Sequence, residues 1–455
     1  MQVSRPGFHD GRSLAGALRR AGALPWLGRR AAYAVGAPAL SLAGAAATVA
    51  APLLLGPSDF GEYILLLSIF QYACALDLGL SQLADKALAA RGGPPAVSVA
   101  DLVCSRALIA ASAFLLASAL CFALERPAGP LSTPDVLIAV AGGLAFMLSN
   151  GPVAIYRAES RIWEFTFAAL VMQAGLSAPR LAGLTLGGVT GCFAALAAWY
   201  ALTAVLLNQP FLSGLRSLPP LRRLGRAFRA ALPLFAFSAL WLVYLTANRW
   251  MVSAFSTPAD FGLFAFGANL VHVGIGLLAT VAQVHYPRHL AGAGEPGAPA
   301  FLGRESQRLL AAALLATAGG LLFCRFAVAP LFPQFAAAAA PSAALTASGV
   351  PLGLAAWLMP LVIATSRKPW RDAATMFSVA LGVLGGAMAA GAFAGGIVGQ
   401  AWGCAAAGLV LLAAQLGFLA RDGGLLRRSQ ARRLLAMAVG AVALHAVAWR
   451  CLFAL

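Results

Sequence analysis

Apolar runs of about twenty residues, the length a helix needs to cross a bilayer, follow one another along almost the whole of this 455-residue chain. That feature leaves few folds open. The runs lack the two-residue alternation of membrane β-strands, so each reads as a helix. Only 10% of residues are charged and 61% are hydrophobic, whereas soluble domains carry about 25% charge. The fold class implied is an all-α polytopic membrane protein.

Twelve spans are expected, at about 31–55, 62–84, 102–124, 135–156, 162–182, 185–207, 231–255, 261–285, 309–329, 342–366, 373–393 and 397–419. Residues 1–30 are basic and read either as an interfacial helix on anionic lipid or as a disordered tail. The stretch 208–230 carries Arg216, Arg222, Arg223, Arg226 and Arg229 and separates an N-lobe (31–207) from a C-lobe (231–419). A basic segment then leads to a last apolar run, 434–455, interrupted by His445 and Arg450, which reads as a further span or as an interfacial hairpin. The first run is as long as a span and has no cleavage-like site after it, so no cleavable signal peptide is expected.

A net charge of +17 raises the question of nucleic acid, but the charges sit in short clusters between apolar runs, the pattern that fixes membrane topology. With the N-terminus placed inside, only Arg126, Arg180, Arg249, Arg325 and Arg450 of the 32 Lys and Arg fall outside. That asymmetry predicts a cytoplasmic N-terminus and no nucleic-acid partner. The seven cysteines form no CxxC pair and lie in or beside apolar runs, where buried, inert thiols are expected.

The chain also repeats itself. Pro57-Ser58-Asp59-Phe60-Gly61-Glu62-Tyr63 returns as Pro258-Ala259-Asp260-Phe261-Gly262-Leu263-Phe264, with Asp59 and Asp260 201 residues apart. Asp59 is expected to cap the following helix, with Glu62 completing a capping box. The same offset pairs Gln71 with His272 and Gln82 with Gln283. Each copy holds an even number of spans, so the lobes should be parallel six-helix repeats. Gly183, Gly187 and Gly191, and separately Gly382 and Gly386, have the spacing of close helix contacts.

Enzymatic chemistry finds little support. The outer links are too short for a catalytic domain, and no helical His-Glu metal motif, Gly-x-Ser-x-Gly or phosphate-cradling loop occurs; no cofactor is expected. Charges at membrane depth are costly and so draw attention. Asp77 reads as a cavity carboxylate for a proton or cation, or as an acid satisfied by Ser81, Gln82 or a neighbouring helix. Arg249, beside Asn248, is the foremost candidate to hold a phosphate through its planar fork; the alternative is an anchor to headgroups. Arg180 and Arg325 fit snorkelling anchors, and Arg180 and Arg106 are the reserve cationic sites. Gln71 and His272 either face a central cavity or make an ordinary helix contact.

The runs Leu55–Tyr63 and Asp77-Leu78-Gly79-Leu80-Ser81-Gln82, then Tyr156-Arg157-Ala158-Glu159, Asn248-Arg249 and the second link, resemble Wzx-type polysaccharide-biosynthesis flippases of the multidrug/oligosaccharidyl-lipid/polysaccharide (MOP) exporter superfamily. The resemblance covers nearly the whole chain. That family often has Asp-Arg where this chain has Asn248-Arg249, which weakens an ion pair there. The resemblance implies a MATE-like pair of six-helix lobes around a cavity open alternately to each side. The cargo it implies is a polyprenyl-diphosphate-linked oligosaccharide carried to the outer leaflet. Membrane lipids, a polysaccharide polymerase and glycosyltransferases are the implied partners. A multidrug cation antiporter of the same superfamily, and a membrane glycosyltransferase or ligase, are the alternatives.

Overall fold

The computed structural model describes residues 43–89 (45 excepted), 97–123, 131–159, 161–212, 219–291, 298–421 and 425–453. The basic segment 1–30 and the first part of the expected first span lie outside these residues. Among the described residues the chain is helical throughout and has no strand. In chain order the helices are 46–54 (α1), Pro57–Ala75 (α2), Leu80–Ala89 (α3), Val99–Ala123 (α4), Thr133–Ala158 (α5), Ile162–Gly175 (α6) and Ala178–Leu212 (α7). Leu221–Phe255 (α8), Pro258–Ala291 (α9), Ala298–Phe326 (α10) and Val328–Leu331 (α11) follow. After a 3-10 turn at Pro333–Ala338 come Ala339–Thr346 (α12), Gly349–Thr365 (α13), Pro369–Arg421 (α14) and Arg428–Phe453 (α15).

Eight helices among the described residues are long and apolar enough to cross a membrane, ten if each bent pair counts as one. Two of the eight, Trp163–Leu212 and Pro369–Arg421, run to 50 and 53 residues. Straight helices of that length would extend roughly 75–80 Å, far beyond a hydrocarbon core of about 30 Å. Both turn back at a glycine pair instead. Gly188 (φ 60, ψ −143) and Gly396 (φ 57, ψ −139) adopt a conformation that a Cβ disfavours. The returning arms then touch at glycines: a Cβ on Gly191 would come within 2.6 Å of the Gly183 carbonyl oxygen, and Gly399 meets Gly391 in the same way. Each long helix is therefore two spans, as the hydropathy implied. The first turn sits at Gly187–Gly188, a few residues beyond the expected 182–185 boundary, because only there do two adjacent glycines permit it. Gly382 and Gly386 make no close contact, for a Cβ at either would meet nothing within 4 Å. The packing role expected of them belongs to Gly391, Gly399 and Gly403.

The described residues fall into two compact units, the first drawn from 43–47, 70–123 and 133–232, the second from 48–69, 131–132 and 233–453. The first unit is built around Phe70, Phe146 and Tyr200, with the last two rings edge to face at 4.9 Å. The Tyr200 hydroxyl donates to the Met172 carbonyl at 3.1 Å, so its one polar atom is satisfied in the core. In the second unit Phe266 stacks on Phe335 at 5.1 Å, and Phe60 meets Phe335 edge to face at 5.5 Å. Gln334 Nε2 donates to the orphan carbonyls of Pro52 and Leu55 at the end of α1, at 3.0 and 3.2 Å.

Within this second unit the two copies of the repeated link lie against each other. A Cβ on Gly61 would stand 3.0 Å from the Phe261 ring, and Gly262 abuts the Pro57 carbonyl. Asp59 is not the N-cap it was expected to be: the helix begins at Pro57 and Asp59 sits exposed in its first turn. The second copy has a reciprocal cap with the roles exchanged. There Thr257 Oγ1 donates to the Asp260 carboxylate (2.7 Å) and accepts from the Asp260 N–H (3.2 Å), whereas the first copy has Gly56 at the threonine position and lacks the hydroxyl.

The last apolar run is one continuous helix, α15, not a hairpin. Trp449 Nε1 donates to the Ala340 carbonyl at 3.0 Å, and His445 Nε2 lies 2.8 Å from the Ala343 carbonyl, which dock it on α12.

Candidate functional site

The expected second span breaks at residues 76–79, between α2 and α3, and Asp77 stands at the break. One carboxylate oxygen accepts from the Gly79 N–H and the other from the Ser81 N–H, each at 3.0 Å. Asp77 thus satisfies amides at the start of α3, the role of a capping side chain. The turn runs through Leu78 (φ 49) and Gly79 (φ 82), the first a left-handed conformation that is uncommon for a residue with a side chain. Ser81, held by Asp77 through its N–H, uses its hydroxyl to accept from Arg106 Nη2 at 3.1 Å. Arg106 is only 2% exposed. Gly151 makes room for it, since a Cβ there would come 2.9 Å from Arg106 Nη1. In the first unit, then, Asp77 and Arg106 share Ser81 as a bridge.

Arg180 lies in the first helical arm before the Gly187–Gly188 turn and is 5% exposed. A snorkelling anchor would reach out of the protein; Arg180 is enclosed by it. Arg325 does fit the anchor reading, for it is exposed and stacks over Phe453 at 5.8 Å. Gln71 is half-buried in the first unit.

The second unit carries Asn248, Arg249 and His272. Arg249 is 2% exposed, and its Nη1 donates to Ser68 Oγ at 2.8 Å. The Ser68 hydroxyl donates to the Ile64 carbonyl at 2.9 Å, leaving its oxygen to accept the hydrogen bond from Arg249. Such burial is incompatible with a headgroup anchor. Neighbouring residues on a helix point about 100° apart, and Asn248 accordingly faces another way: its amide nitrogen points at Cys404 Sγ (3.9 Å), and no donor among the described residues reaches its buried Oδ1. Asn248, His272, Ser348 and Cys404 line one small cavity of about 20 Å³, room for a single water. His272 Nδ1 lies 2.6 Å from the Ala268 carbonyl and Nε2 3.1 Å from the Leu245 carbonyl. Carbonyls only accept, so both contacts are hydrogen bonds only when both ring nitrogens carry protons.

Three solved structures resemble this arrangement of helices. Lipid II flippase MurJ in an inward closed conformation superposes with a TM-score of 0.65 at 12% identity, covering 91% of each chain. A multidrug-resistance MATE family transporter of the MOP superfamily matches at 0.62 in its inward-facing conformation (16% identity, 88% of this chain and 94% of that one). An outward-facing MATE family transporter also matches at 0.62 (18% identity, 95% and 99%). The chain has the fold of these membrane transporters. No protein-family model and no curated protein sequence matches it. At such identities the likeness extends to the path of the backbone, and the polar residues must be read from this chain itself.

Several of those polar residues escaped the sequence reading. Ser68, whose hydroxyl receives the Arg249 guanidinium, looks unremarkable in an apolar run, and Ser81, expected only as a partner of Asp77, also receives Arg106; the available signal was a serine on the same run as a suspect charge. Gln400 and Gln415 are fully buried in the returning arm of α14, and neither amide atom of Gln400 has a partner among the described residues. An amide in the middle of an apolar run was the signal there. Asp135, the first residue of the expected span 135–156, is buried in the first turn of α5, where it accepts from Thr190 Oγ1 at 2.6 Å.

Proposed function

We propose that this protein moves a polyprenyl-diphosphate-linked oligosaccharide from the cytoplasmic to the outer leaflet of a bacterial inner membrane by alternating access of two six-helix lobes, 31–207 and 231–419. The observation that carries this reading is the burial of the Arg106, Arg180 and Arg249 guanidinium groups within apolar spans, with Arg249 as the leading case. A diphosphate entering a low-dielectric site is a strong partner for a planar guanidinium fork. The likeness to a structure described as a lipid II flippase supports a lipid-linked cargo. On this reading the protein is a transporter and not an enzyme, its N-terminus is cytoplasmic, and polymerase and glycosyltransferases act before and after it.

The likeness to MATE transporters favours the second reading, a multidrug cation antiporter. Buried arginines at the cargo site would repel a cationic drug, which ranks it lower. Arg249→Ala and Arg249→Lys separate the two in a cell that depends on this protein for surface polysaccharide. Loss of one charge-assisted contact costs about 1.5–3 kcal/mol, so both variants should export poorly at normal membrane levels. Normal export by both removes Arg249 from the cargo site, and export of a cationic dye with unaffected polysaccharide favours the antiporter.

A further inference from the structure

The largest cavity among those described in the second unit is not at the buried arginines. It opens between the end of α13 and the two ends of α14, encloses about 1000 Å³, and is lined by Arg367, Lys368, Arg371 and Arg421 above an apolar wall that includes Val379 and Phe418. The helical hairpin explains the convergence. Because α14 turns back at Gly395–Gly396, its first and last turns return to the same end, and the basic loop 366–368 joins them there.

Four cations line the cavity against one carboxylate, Asp372. That carboxylate is engaged locally, accepting from Ser366 Oγ at 2.6 Å across the start of the helix. The charge is also graded along the helix. Arg371 is in the first turn of α14, and Val379, 54% exposed, lies eight residues further on, about 12 Å deeper. On the other arm Phe418 sits one turn below Arg421. Trp370, 46% exposed, stands beside the cations, as aromatic residues do at a membrane–water boundary. A free phosphate would need the cations alone. An apolar wall running a dozen ångströms below them suits a molecule with a phosphate at one end and hydrocarbon at the other.

We infer that this cavity binds the anionic phosphate headgroup of a membrane phospholipid, with the acyl chains lying along Val379 and Phe418. The inference stands apart from the identity of the transported cargo.

The test is native mass spectrometry of the full chain in detergent, titrated with phosphatidylglycerol and, separately, with phosphatidylcholine. One tightly held phosphatidylglycerol is expected, with phosphatidylcholine much weaker. Replacing Arg367, Lys368, Arg371 and Arg421 together by Gln should weaken that binding by roughly tenfold or more. The single variant Arg371→Gln should weaken it to a smaller degree and serves if the quadruple variant does not elute as a folded species. Replacing Arg427, Arg428, Arg432 and Arg433 by Gln should leave it unchanged. Equal binding by the cavity variants, or equal loss in the second basic cluster, overturns the site. Displacement of the lipid by millimolar inorganic pyrophosphate as readily as by competing phosphatidylglycerol overturns the lipid as its ligand. So does a preference for polyprenyl diphosphate, which would make the cavity a cargo site.

Discussion

The hairpin that turns at Gly187–Gly188 and the one that turns at Gly395–Gly396 have nearly the same backbone and different interiors. Their turn glycines share their angles, Gly183 meets Gly191 as Gly391 meets Gly399, and each position in one stands 208 residues from its counterpart in the other. At that offset Arg180 corresponds to Met388, and Cys192 to Gln400. Arg180 and Met388 are both buried. The glycines answer a demand of the backbone that any such turn must meet. The interior answers a demand of packing, which a thioether or a guanidinium can satisfy if its surroundings suit it. A buried cation in one hairpin and none at the matching place in the other makes two similar scaffolds chemically unequal.

The sharpest way to break this comparison is to exchange the interiors. Met388→Arg puts a charge where the neighbour is the Cys404 thiol, 3.9 Å away. An unpaired buried charge should cost more than about 4 kcal/mol, and size-exclusion chromatography of solubilised membranes should show little folded protein. The reverse exchange, Arg180→Met, replaces a buried ion by an apolar side chain of similar length and should leave folding intact or improved. Under the proposed function it should still reduce polysaccharide export. If Met388→Arg folds normally, the two interiors are interchangeable and the asymmetry carries no meaning.

Next in size are the glycines. Gly191→Ala and Gly399→Ala each force a Cβ against a facing backbone and should cost about 1–3 kcal/mol; Gly188→Ala and Gly396→Ala should cost a similar amount through the backbone. Within each pair the loss of thermal stability in detergent should match. Gly382→Ala and Gly386→Ala, which meet open space, should be neutral or gain up to about 1 kcal/mol from helix propensity. Unequal losses within a pair would show that the hairpins resemble each other in outline only.

Much of this architecture was legible in the sequence because it rests on local quantities. A run of twenty apolar residues is a span whatever surrounds it, and two adjacent glycines after a long run permit a reversal. The burial of Arg249 could not be read this way, since its partner Ser68 is 181 residues distant in the chain. The break at 76–79 was half legible. An aspartate two residues before a glycine is the signature of a side chain that bonds the backbone just ahead of it, but inside an apolar run the acid drew attention to its charge instead of to its geometry. The glycine pair at 382 and 386 misled for a related reason: spacing places two residues on one face of a helix and says nothing about what lies opposite.

The smallest expected effect tests a second difference between the halves. The chain breaks at Asp77-Leu78-Gly79, whereas the corresponding stretch from Leu278 continues within the unbroken helix α9. If Asp77 serves only to hold this break, Asp77→Asn should be mild. Asparagine keeps one acceptor oxygen for the Gly79 or Ser81 amide and caps almost as well as aspartate, so the loss should be about 0.5–1 kcal/mol, read as a small fall in melting temperature with export preserved. If instead the negative charge matters in its own right, through Ser81 to the buried Arg106, then Asp77→Asn should fold normally and fail to export. Ser81→Ala separates the two cases, because it removes the hydroxyl that receives Arg106 while leaving both Asp77 contacts to backbone in place. Export lost in Ser81→Ala and kept in Asp77→Asn would assign the function to the arginine and leave Asp77 as the cap of a helix.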